Sequence, residues 1–434
     1  MNKDRGVVVL LCSILWLGMG LPLAAFGAAN YEPSITCENC HPKIYVQHAQ
    51  SMHAKSVENP VFLAQYFKEM LPRAAKDPAF VEEAEGCFAC HAPVAYLRGK
   101  RQLSPSDELP SPIMEVGCDF CHTISGFRGP ELGNANYINT PGPSKLGPFQ
   151  TKSDWHRKFA KLQTRSEVCA VCHNVVNKQG LGVAVTYDEW KNSQYAKDNI
   201  QCQDCHMNIN GFLTGGKARF EKGKAASMAF VEVQERGKIF THRFPGAHSA
   251  SVVHGAVGLK IEPGVRTAEG LVVDILVDNS RTGHKMPSGS TQLRMMWLEL
   301  KAGSGGQMVT IPAVSVKEQD GGYDVTSGGA VDSELLGEGI PKASRLYRAI
   351  FTDADGKPTM SAYDAVKIAF DNRLEASEVR KESYLIPVPA GTTEIALSAS
   401  LYYMAYPPAF AKRLDLPVPN PVIIAAANKR VEVK

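Results

Sequence analysis

Five short segments decide how this chain folds, and each has the form Cys-x-x-Cys-His. In chain order they are Cys37-Glu38-Asn39-Cys40-His41, Cys87-Phe88-Ala89-Cys90-His91, Cys118-Asp119-Phe120-Cys121-His122, Cys169-Ala170-Val171-Cys172-His173 and Cys202-Gln203-Asp204-Cys205-His206. We number them motif 1 to motif 5. They contain ten of the eleven cysteines in the 434-residue chain, so one chemistry must account for almost all of the cysteine content.

This pattern is the attachment signature of c-type haem. The two thiols bond to one porphyrin, and the adjacent histidine becomes the proximal ligand of its iron. A zinc site also uses Cys-x-x-Cys pairs, but it requires no histidine directly after each pair. A redox-active Cys-x-x-Cys usually occurs once, beside a βαβ unit. The sequence therefore predicts five haems c, with the proximal ligands His41, His91, His122, His173 and His206.

The motifs are closely spaced, since all five lie within residues 37–206. So short a stretch cannot bury a separate apolar core around each haem. We therefore expect the haems to form the core of this region, close to one another. The apolar spacing predicts short helices, and Pro, Gly and Ser predict loops between them. The predicted helices are 42–57, 60–75 and 186–197, and the predicted loops are 103–112 and 137–149.

Seven other histidines could supply the sixth ligand of the irons, two more than five haems need. They are His48, His53, His156, His242, His248, His254 and His284. Met52 and Met207 are alternative ligands, and a methionine would raise the reduction potential relative to histidine. Because histidines are in surplus, we expect the methionines mainly to fill space in the core.

Motif 1, the Pro42 that follows it, and Ser51-Met52-His53-Ala54 together resemble the cytochrome c-554-like multihaem family. Other elements are similar to larger multihaem cytochromes in which a haem-rich half precedes a β-domain. These are Gly147-Pro148-Phe149 before His156, Ser166-Glu167-Val168 before motif 4, Tyr187-Asp188-Glu189-Trp190 before motif 5, His242-Arg243-Phe244-Pro245-Gly246-Ala247-His248, and Gly283-His284-Lys285-Met286-Pro287-Ser288-Gly289. The chain differs from the smaller c-554 proteins in its haem number and its added C-terminal half.

The resemblance has three implications. It implies that the distal ligands are His53, His156, His242, His248 and His284, and it leaves His48 and His254 as spare histidines. It implies a haem-rich half followed by a β-domain. It also implies electron transfer, because similar proteins occur in extracellular electron conduits.

The chain changes character after its last cysteine. From about residue 256, apolar and polar residues alternate in runs separated by turn residues, which is typical of antiparallel strands. The predicted strands are 271–277, 295–301, 308–316, 383–388 and 393–402, and a helical stretch is predicted at 362–370. The predicted fold class is α + β and multidomain, with a haem-packed, mostly helical or irregular N-terminal domain before an antiparallel β-sandwich. We expect the loop with His284 to project from the sandwich onto a haem.

Four regions are predicted along the chain: a signal peptide at 1–29, a pentahaem domain at 30–206, a connector with distal histidines at 207–255 and the β-sandwich at 256–434. Residues 1–29 are typical of a signal peptide, because Lys3 and Arg5 precede an apolar run that ends in small residues. An uncleaved membrane anchor is the alternative. The predicted location is the periplasm or the outer surface of the cell, or outside it.

The predicted function is electron relay, because an iron with two histidine ligands has no site for a substrate. Expected partners are other redox proteins, either cytochromes or a quinol-linked donor. The formal charge of +3 indicates no nucleic-acid partner. The alternative is a reductase of a small nitrogen, sulfur or oxyanion substrate at one open haem, with Arg157, Lys158 and Tyr187 as candidate polar groups. A homo-oligomeric conduit is the third hypothesis, and contact with a membrane is expected only if the leader is uncleaved.

Overall fold

The computed structural model describes residues 30–150, 158–214, 216–229, 232–304, 306–313, 326, 340–342 and 344–433. The predicted signal peptide, Arg157 and the predicted ligand His156 lie outside these residues. No helix in the described part of the chain is both long enough and apolar enough to cross a membrane. Short helices and loops dominate up to about residue 255, and strands dominate beyond it, so the predicted α + β class is confirmed.

The N-terminal half is built from short helices. Their bounds are Ser34–Glu38 (α1), Pro42–Ala49 (α2), Pro60–Gln65 (α3), Leu71–Ala74 (α4), Val81–His91 (α5), Pro93–Leu97 (α6), Cys118–Cys121 (α7), Glu167–Ala170 (α8), Thr186–Lys191 (α9), Gln194–Lys197 (α10), Cys202–His206 (α11) and Ala250–Val253 (α12). A π-helical turn at Tyr66–Met70 joins α3 to α4, and 3-10 turns occupy Pro78–Phe80 and Lys161–Thr164. The short strands between them are Ile124–Phe127 (β1), Tyr137–Asn139 (β2), Leu146–Gly147 (β3), Lys158–Phe159 (β4), Val175–Val176 (β5), Gly182–Ala184 (β6), Glu221–Lys224 (β7) and Glu235–Ile239 (β8).

The predicted helices agree with the structure in part. The prediction for 60–75 is confirmed by the run of α3, the π-helical turn and α4. The predicted helix at 42–57 stops at Ala49, because the Met52 N–H donates to the distant carbonyl of Phe244 instead of continuing the helix. The predicted helix at 186–197 is divided into α9 and α10, where the Ser193 hydroxyl donates to the Trp190 carbonyl.

The C-terminal half is an antiparallel β-sandwich. Its strands are Gly258–Ile261 (β9), Val265–Arg266 (β10), Leu271–Asp278 (β11), Met295–Ser304 (β12), Gln307–Ile311 (β13), Arg345–Tyr347 (β14), Ala349–Thr352 (β15), Pro358–Thr359 (β16), Lys367–Asp371 (β17), Val379–Ile386 (β18), Glu394–Met404 (β19) and Val422–Glu432 (β20), with one helix at Pro408–Leu414 (α13). One sheet has the order β10-β11-β18 with β9 also on β11, and the other has the order β13-β12-β19-β20 with β14 also on β12. A third sheet has the order β16-β15-β17.

Alternation along the strands produces the core of the sandwich. Leu271, Val273, Ile275 and Val277 of β11 are buried, while the residues between them are partly exposed. They belong to one apolar cluster with side chains of β12, β18 and β19, so both sheets contribute their inner faces. The helical prediction for 362–370 is wrong, because residues 367–371 form β17 and pair with β15.

The two halves of the described chain share apolar clusters. Ala64 of α3 is buried with Ile350 of β15 and Phe410 of α13. Val183 of β6 is buried with Phe351 of β15. Burial of apolar area between the halves stabilises their contact, at roughly 25 cal/mol per Å². The sandwich is therefore held against the motif-bearing half rather than tethered to it by a linker.

Candidate haem centres

Each Cys-x-x-Cys-His motif is located on a helical turn. Motif 3 begins α7, motif 5 forms α11, and motif 2 ends α5. In such a turn, residues three apart lie on the same face, so the two thiols point the same way and the histidine follows directly. The Gln201 side chain and Asp204 cap α11 reciprocally, which fixes where motif 5 starts.

Three of the five motif histidines are oriented by backbone carbonyls. A carbonyl can only accept, so the Nδ1 atom donates from His41 to Ala225 at 2.8 Å, from His91 to Ser56 at 3.1 Å and from His122 to Leu146 at 2.7 Å. This tautomer leaves the Nε2 lone pair for a metal, and such hydrogen bonds are the usual support of metal-ligating histidines.

One continuous cavity of about 2570 Å³ is lined by residues of all five motifs. All five motif histidines line it, together with nine of the ten motif cysteines. The tenth, Cys87, packs beside the aromatic cluster of Tyr66 and Phe88 instead. A pocket for one small molecule is usually about 300–1,000 Å³. The donor set and the size of the cavity therefore fit several large cofactors of the haem type.

Three motif histidines each face a second histidine at a similar distance. The ring centroids are 6.2 Å apart for His173 and His53, 6.3 Å for His122 and His242, and 6.3 Å for His206 and His284. A metal–imidazole bond is about 2 Å long, so two rings that bind one metal from opposite sides have centroids about 6 Å apart. The chain alone thus places three histidine pairs at the separation that a shared iron requires.

Burial keeps the paired histidines neutral. Desolvation, followed by the charges of His173 and other histidines, lowers the pKa of His53 to about 3. Desolvation and the neighbouring His122 lower the pKa of His242 to about 3, and desolvation and His284 lower the pKa of His206 to about 4. The neutral imidazole is the form that ligates a metal, so these rings are ready to bind near neutral pH.

The remaining histidines have different surroundings. His48 is buried and also lines the cavity. Its Nε2 atom bonds to the Val116 carbonyl at 3.0 Å, and its Nδ1 atom has no hydrogen-bond partner in the described part of the chain, so its place as a spare histidine stays a prediction. His248 and His254 are exposed and do not line the cavity. His91 stacks on Phe62 at 4.3 Å between centroids, and no histidine ring of the described residues faces it as in the three pairs.

The β-sandwich positions His284 through a loop that follows β11. The His284 carbonyl accepts from the Asn279 amide at 3.1 Å, and Met286 exchanges two backbone hydrogen bonds with Leu374. Gly283 passes so close to α9 and α10 that an added Cβ would lie 3.1 Å from Tyr195. This close approach explains why the loop has a glycine before the histidine.

A buried ion-pair network joins that loop to α9. Arg373 donates to Glu189 of α9 at 2.7 Å, and both side chains are almost fully buried, at 3% and 4% exposure. It also binds Asp371 through two hydrogen bonds of 2.9 Å. Glu189 accepts from Ser288 at 2.6 Å, and Lys285 binds Asp371 at 3.2 Å. Ser288, which follows His284 in the loop, is therefore fixed to the motif-bearing half through Glu189.

Thiols of different motifs contact each other. Cys37 lies beside Cys118, Cys90 lies beside Cys172, and Cys169 lies beside Cys202. These contacts join motif 1 to motif 3, and motif 4 to motifs 2 and 5. Cys121 and Cys172 lie beside one apolar cluster, which brings motif 3 next to motif 4.

Some of the site could not be foreseen from sequence. Arg373 and Glu189 are 184 residues apart, and only Glu189 belongs to a sequence element noted above, Tyr187-Asp188-Glu189-Trp190. The carbonyl acceptors of the motif histidines carry no residue-type signal at all, because any residue can offer a carbonyl. Of the polar candidates for an open haem, Tyr187 is buried and lines the cavity, whereas Lys158 lines it with an exposed side chain.

Comparison with known proteins agrees with this geometry. Residues 36–123 match the family model described as "Cytochrome c554 and c-prime". The structure is similar to the crystal structure of a penta-heme cytochrome c552 from Thermochromatium tepidum, with a TM-score of 0.66 and 21% sequence identity, over 92% of this chain and 99% of that chain. At this identity the likeness concerns the fold. No curated protein matches the sequence.

The family match covers motif 1, motif 2 and motif 3, and the shared fold extends over both halves of the chain. Together with five attachment motifs around one cavity, these findings support a multihaem c-type cytochrome.

Proposed function

We propose that the chain is an exported cytochrome that holds five haems c and relays electrons between redox partners. The observation that carries this proposal is the set of three histidine pairs within one cavity, each at the separation of two ligands on a shared iron. A bound haem supplies one-electron redox chemistry. An iron held by a motif histidine and its facing histidine would have no free position for a substrate, so it would exchange electrons only.

The haem of each motif takes two thiols and the motif histidine. In this proposal His242 is the distal ligand at motif 3, His53 at motif 4 and His284 at motif 5, because these rings face the corresponding motif histidines. His156 and His248 stay predicted distal ligands that the proposal assigns to no particular motif. The proposal assigns covalent attachment to Cys37, Cys40, Cys87, Cys90, Cys118, Cys121, Cys169, Cys172, Cys202 and Cys205.

The thiol contacts suggest the order of the redox centres in space. Motif 1 adjoins motif 3, motif 3 adjoins motif 4, and motif 4 adjoins motifs 2 and 5. The arrangement branches at motif 4. Electrons that enter at motif 1 can therefore leave by either of two ends, which suits a relay between different partners.

The organisation of the chain follows from the same proposal. Residues 1–29 direct export, 30–206 hold the haems, 207–255 return histidines to them, and 256–434 form the domain that carries His284. The protein then acts in the periplasm or at the outer surface, with cytochromes or a quinol-linked protein as partners.

The test is an intact-mass measurement combined with electron paramagnetic resonance (EPR) of the oxidised holoprotein. We expect the mass of the chain without its leader plus five haems, and low-spin ferric signals for the haems of motifs 3, 4 and 5. Fewer than five haems, or high-spin iron at all three of these motifs, would refute the proposal.

Motif 2 gives a specific reason to keep a second candidate, a reductase of a small nitrogen, sulfur or oxyanion species. His91 stacks on Phe62 and faces no histidine of the described chain, unlike the histidines of motifs 3, 4 and 5. If its iron is five-coordinate, one high-spin EPR signal will respond to nitrite or hydroxylamine, and the reduced protein will bind carbon monoxide. Five low-spin signals without such a response would leave only the relay.

A further inference from the structure

Two polar side chains of the β-sandwich border the cavity that the motifs line. Each has a buried polar atom without a hydrogen-bond partner in the described part of the chain. Tyr403 is only 3% exposed, yet its hydroxyl has no partner in the described part of the chain. The Nε atom of Arg294 is likewise buried without a partner among the described residues, although a terminal nitrogen of its guanidinium donates to the Ala405 carbonyl. Both residues line the cavity.

Strand register brings the two side chains together. Tyr403 of β19 is paired with Met296 of β12, and Arg294 lies two residues before Met296. Residues two apart point to the same face of an extended segment, and diagonal neighbours on one face are about 7–8 Å apart or less. Arg294 and Tyr403 therefore share the inner face of the sandwich at the end that opens onto the cavity.

The chemistry of the pair selects its ligand. A guanidinium only donates hydrogen bonds and is always charged, and a phenol that keeps its proton also donates. Burial, opposed by the charge of Arg294, raises the pKa of Tyr403, so its hydroxyl keeps the proton. Two converging donors with one positive charge match a carboxylate. A buried donor without a partner is unfavourable, so a ligand that accepts from it is favoured.

We propose that Arg294 and Tyr403 bind a propionate carboxylate of one haem in the cavity, so that the β-sandwich contacts a haem edge as well as supplying His284. The proposal rests on the proposed haem loading of the chain. It makes Arg294 and Tyr403 positioning residues that stabilise the ionised propionate. The cation beside the propionate also offsets negative charge near the iron, which favours the reduced state of that haem.

The test uses the pentahaem holoprotein with Tyr403→Phe, Arg294→Met and Arg294→Lys. Midpoint potentials are measured by spectroelectrochemistry, and propionate hydrogen bonding by resonance Raman spectroscopy. We expect Tyr403→Phe to shift the propionate band of one haem only. Arg294→Met should shift the same band and lower the potential of that haem, with the other four unchanged. Arg294→Lys, which keeps the charge, should restore the potential.

Tyr384→Phe is the matched control, because Tyr384 is equally buried with an unpartnered hydroxyl but does not line the cavity. It should leave every haem band and potential unchanged. If Tyr403→Phe behaves like this control, the proposal is overturned while the haem count still upholds the relay. If added acetate changes the wild-type spectrum and loses that effect in Arg294→Met, the pair binds a free carboxylate, and the haem assignment is wrong. If the purified wild-type protein contained no covalently bound haem, the proposed function itself would be refuted.

Discussion

Replacing Arg373 with methionine is expected to convert the haem of motif 5 from low spin to high spin. The same change should lower the free energy of unfolding by about 3–5 kcal/mol, because it leaves Glu189 as an uncompensated buried charge. Arg373 lies beside the loop that carries His284, and its pair with Glu189 holds this loop against α9. Without it, the His284 ring loses the support that keeps it opposite His206.

EPR of the oxidised protein and carbon monoxide binding to the reduced protein provide the measurement, with thermal unfolding alongside. Arg345→Met is the matched control. Arg345 and Glu382 form a buried pair of 2.9 Å with 5% and 10% exposure, within the sandwich. The control should lose similar stability and keep every low-spin signal. If Arg373→Met also keeps them, the network does not position His284.

A double variant distinguishes an effect on the position of His284 from an effect on the stability of the protein. Arg373→Met combined with Glu189→Gln removes both charges, and replacement of a whole buried pair is often nearly neutral in stability. The side-chain carbonyl introduced by Glu189→Gln can still accept from Ser288, as the Glu189 carboxylate does. We expect the double variant to recover most of the lost stability and part of the low-spin signal. Recovery of the stability without any recovery of the signal would identify the remaining Arg373 contacts, to Asp371 and to the Pro287 carbonyl, as the essential ones.

Replacing His242 with alanine is expected to open the iron at motif 3. The His242 and His122 rings have centroids 6.3 Å apart, and the Nδ1 atom of His242 donates to the Phe240 carbonyl, which leaves Nε2 for the iron. The substitution removes a strong ligand, so one low-spin signal should disappear and one high-spin signal should appear. The midpoint potential of the motif 3 haem should also change, because the axial ligands set the potential of a haem.

Added imidazole should restore the low-spin signal in His242→Ala, which distinguishes a lost ligand from a misfolded site. His254→Ala is the control, since His254 is exposed and borders no part of the cavity. It should leave the spectrum unchanged. A high-spin signal in His254→Ala, or none in His242→Ala, would contradict the assignment. His248→Ala is informative as well, because the resemblance implies a ligand at that residue although its side chain is exposed.

The parts of the structure that sequence predicts are those with a local signature. The Cys-x-x-Cys-His motifs need only adjacent residues, and the alternation of β11 is visible within eight positions. The stretch 362–370 has helical spacing, but β15 pairs with residues 367–371 and makes them a strand. Strand β15 is too far away in the sequence to influence a prediction made from neighbouring residues, so its pairing with 367–371 overrides their helical spacing.

The candidate site shows the same division. His284 and His206 were both expected to be ligands, and the structure places their ring centroids 6.3 Å apart. The residues that hold them there were not expected, because Arg373 and Glu189 meet only after the whole chain has folded. The surroundings of His48 and His53 also depend on folding, because the His48 Nε2 atom bonds to the Val116 carbonyl whereas the His53 ring lies opposite His173.

The distance along the chain between His206 and His284 has a consequence for biogenesis. A ribosome makes motif 5 first, then the 78 residues that lead to its partner ring, and then the strands that hold that ring in place. A haem can be joined to Cys202 and Cys205 before any of the later chain has folded. The absorption spectrum and spin state of that haem would then show whether the β-sandwich that carries His284 has folded. If the proposed haem loading holds, molecules cut before His284 would carry an iron at motif 5 that is open to a small gas such as carbon monoxide, whereas the full-length protein would not.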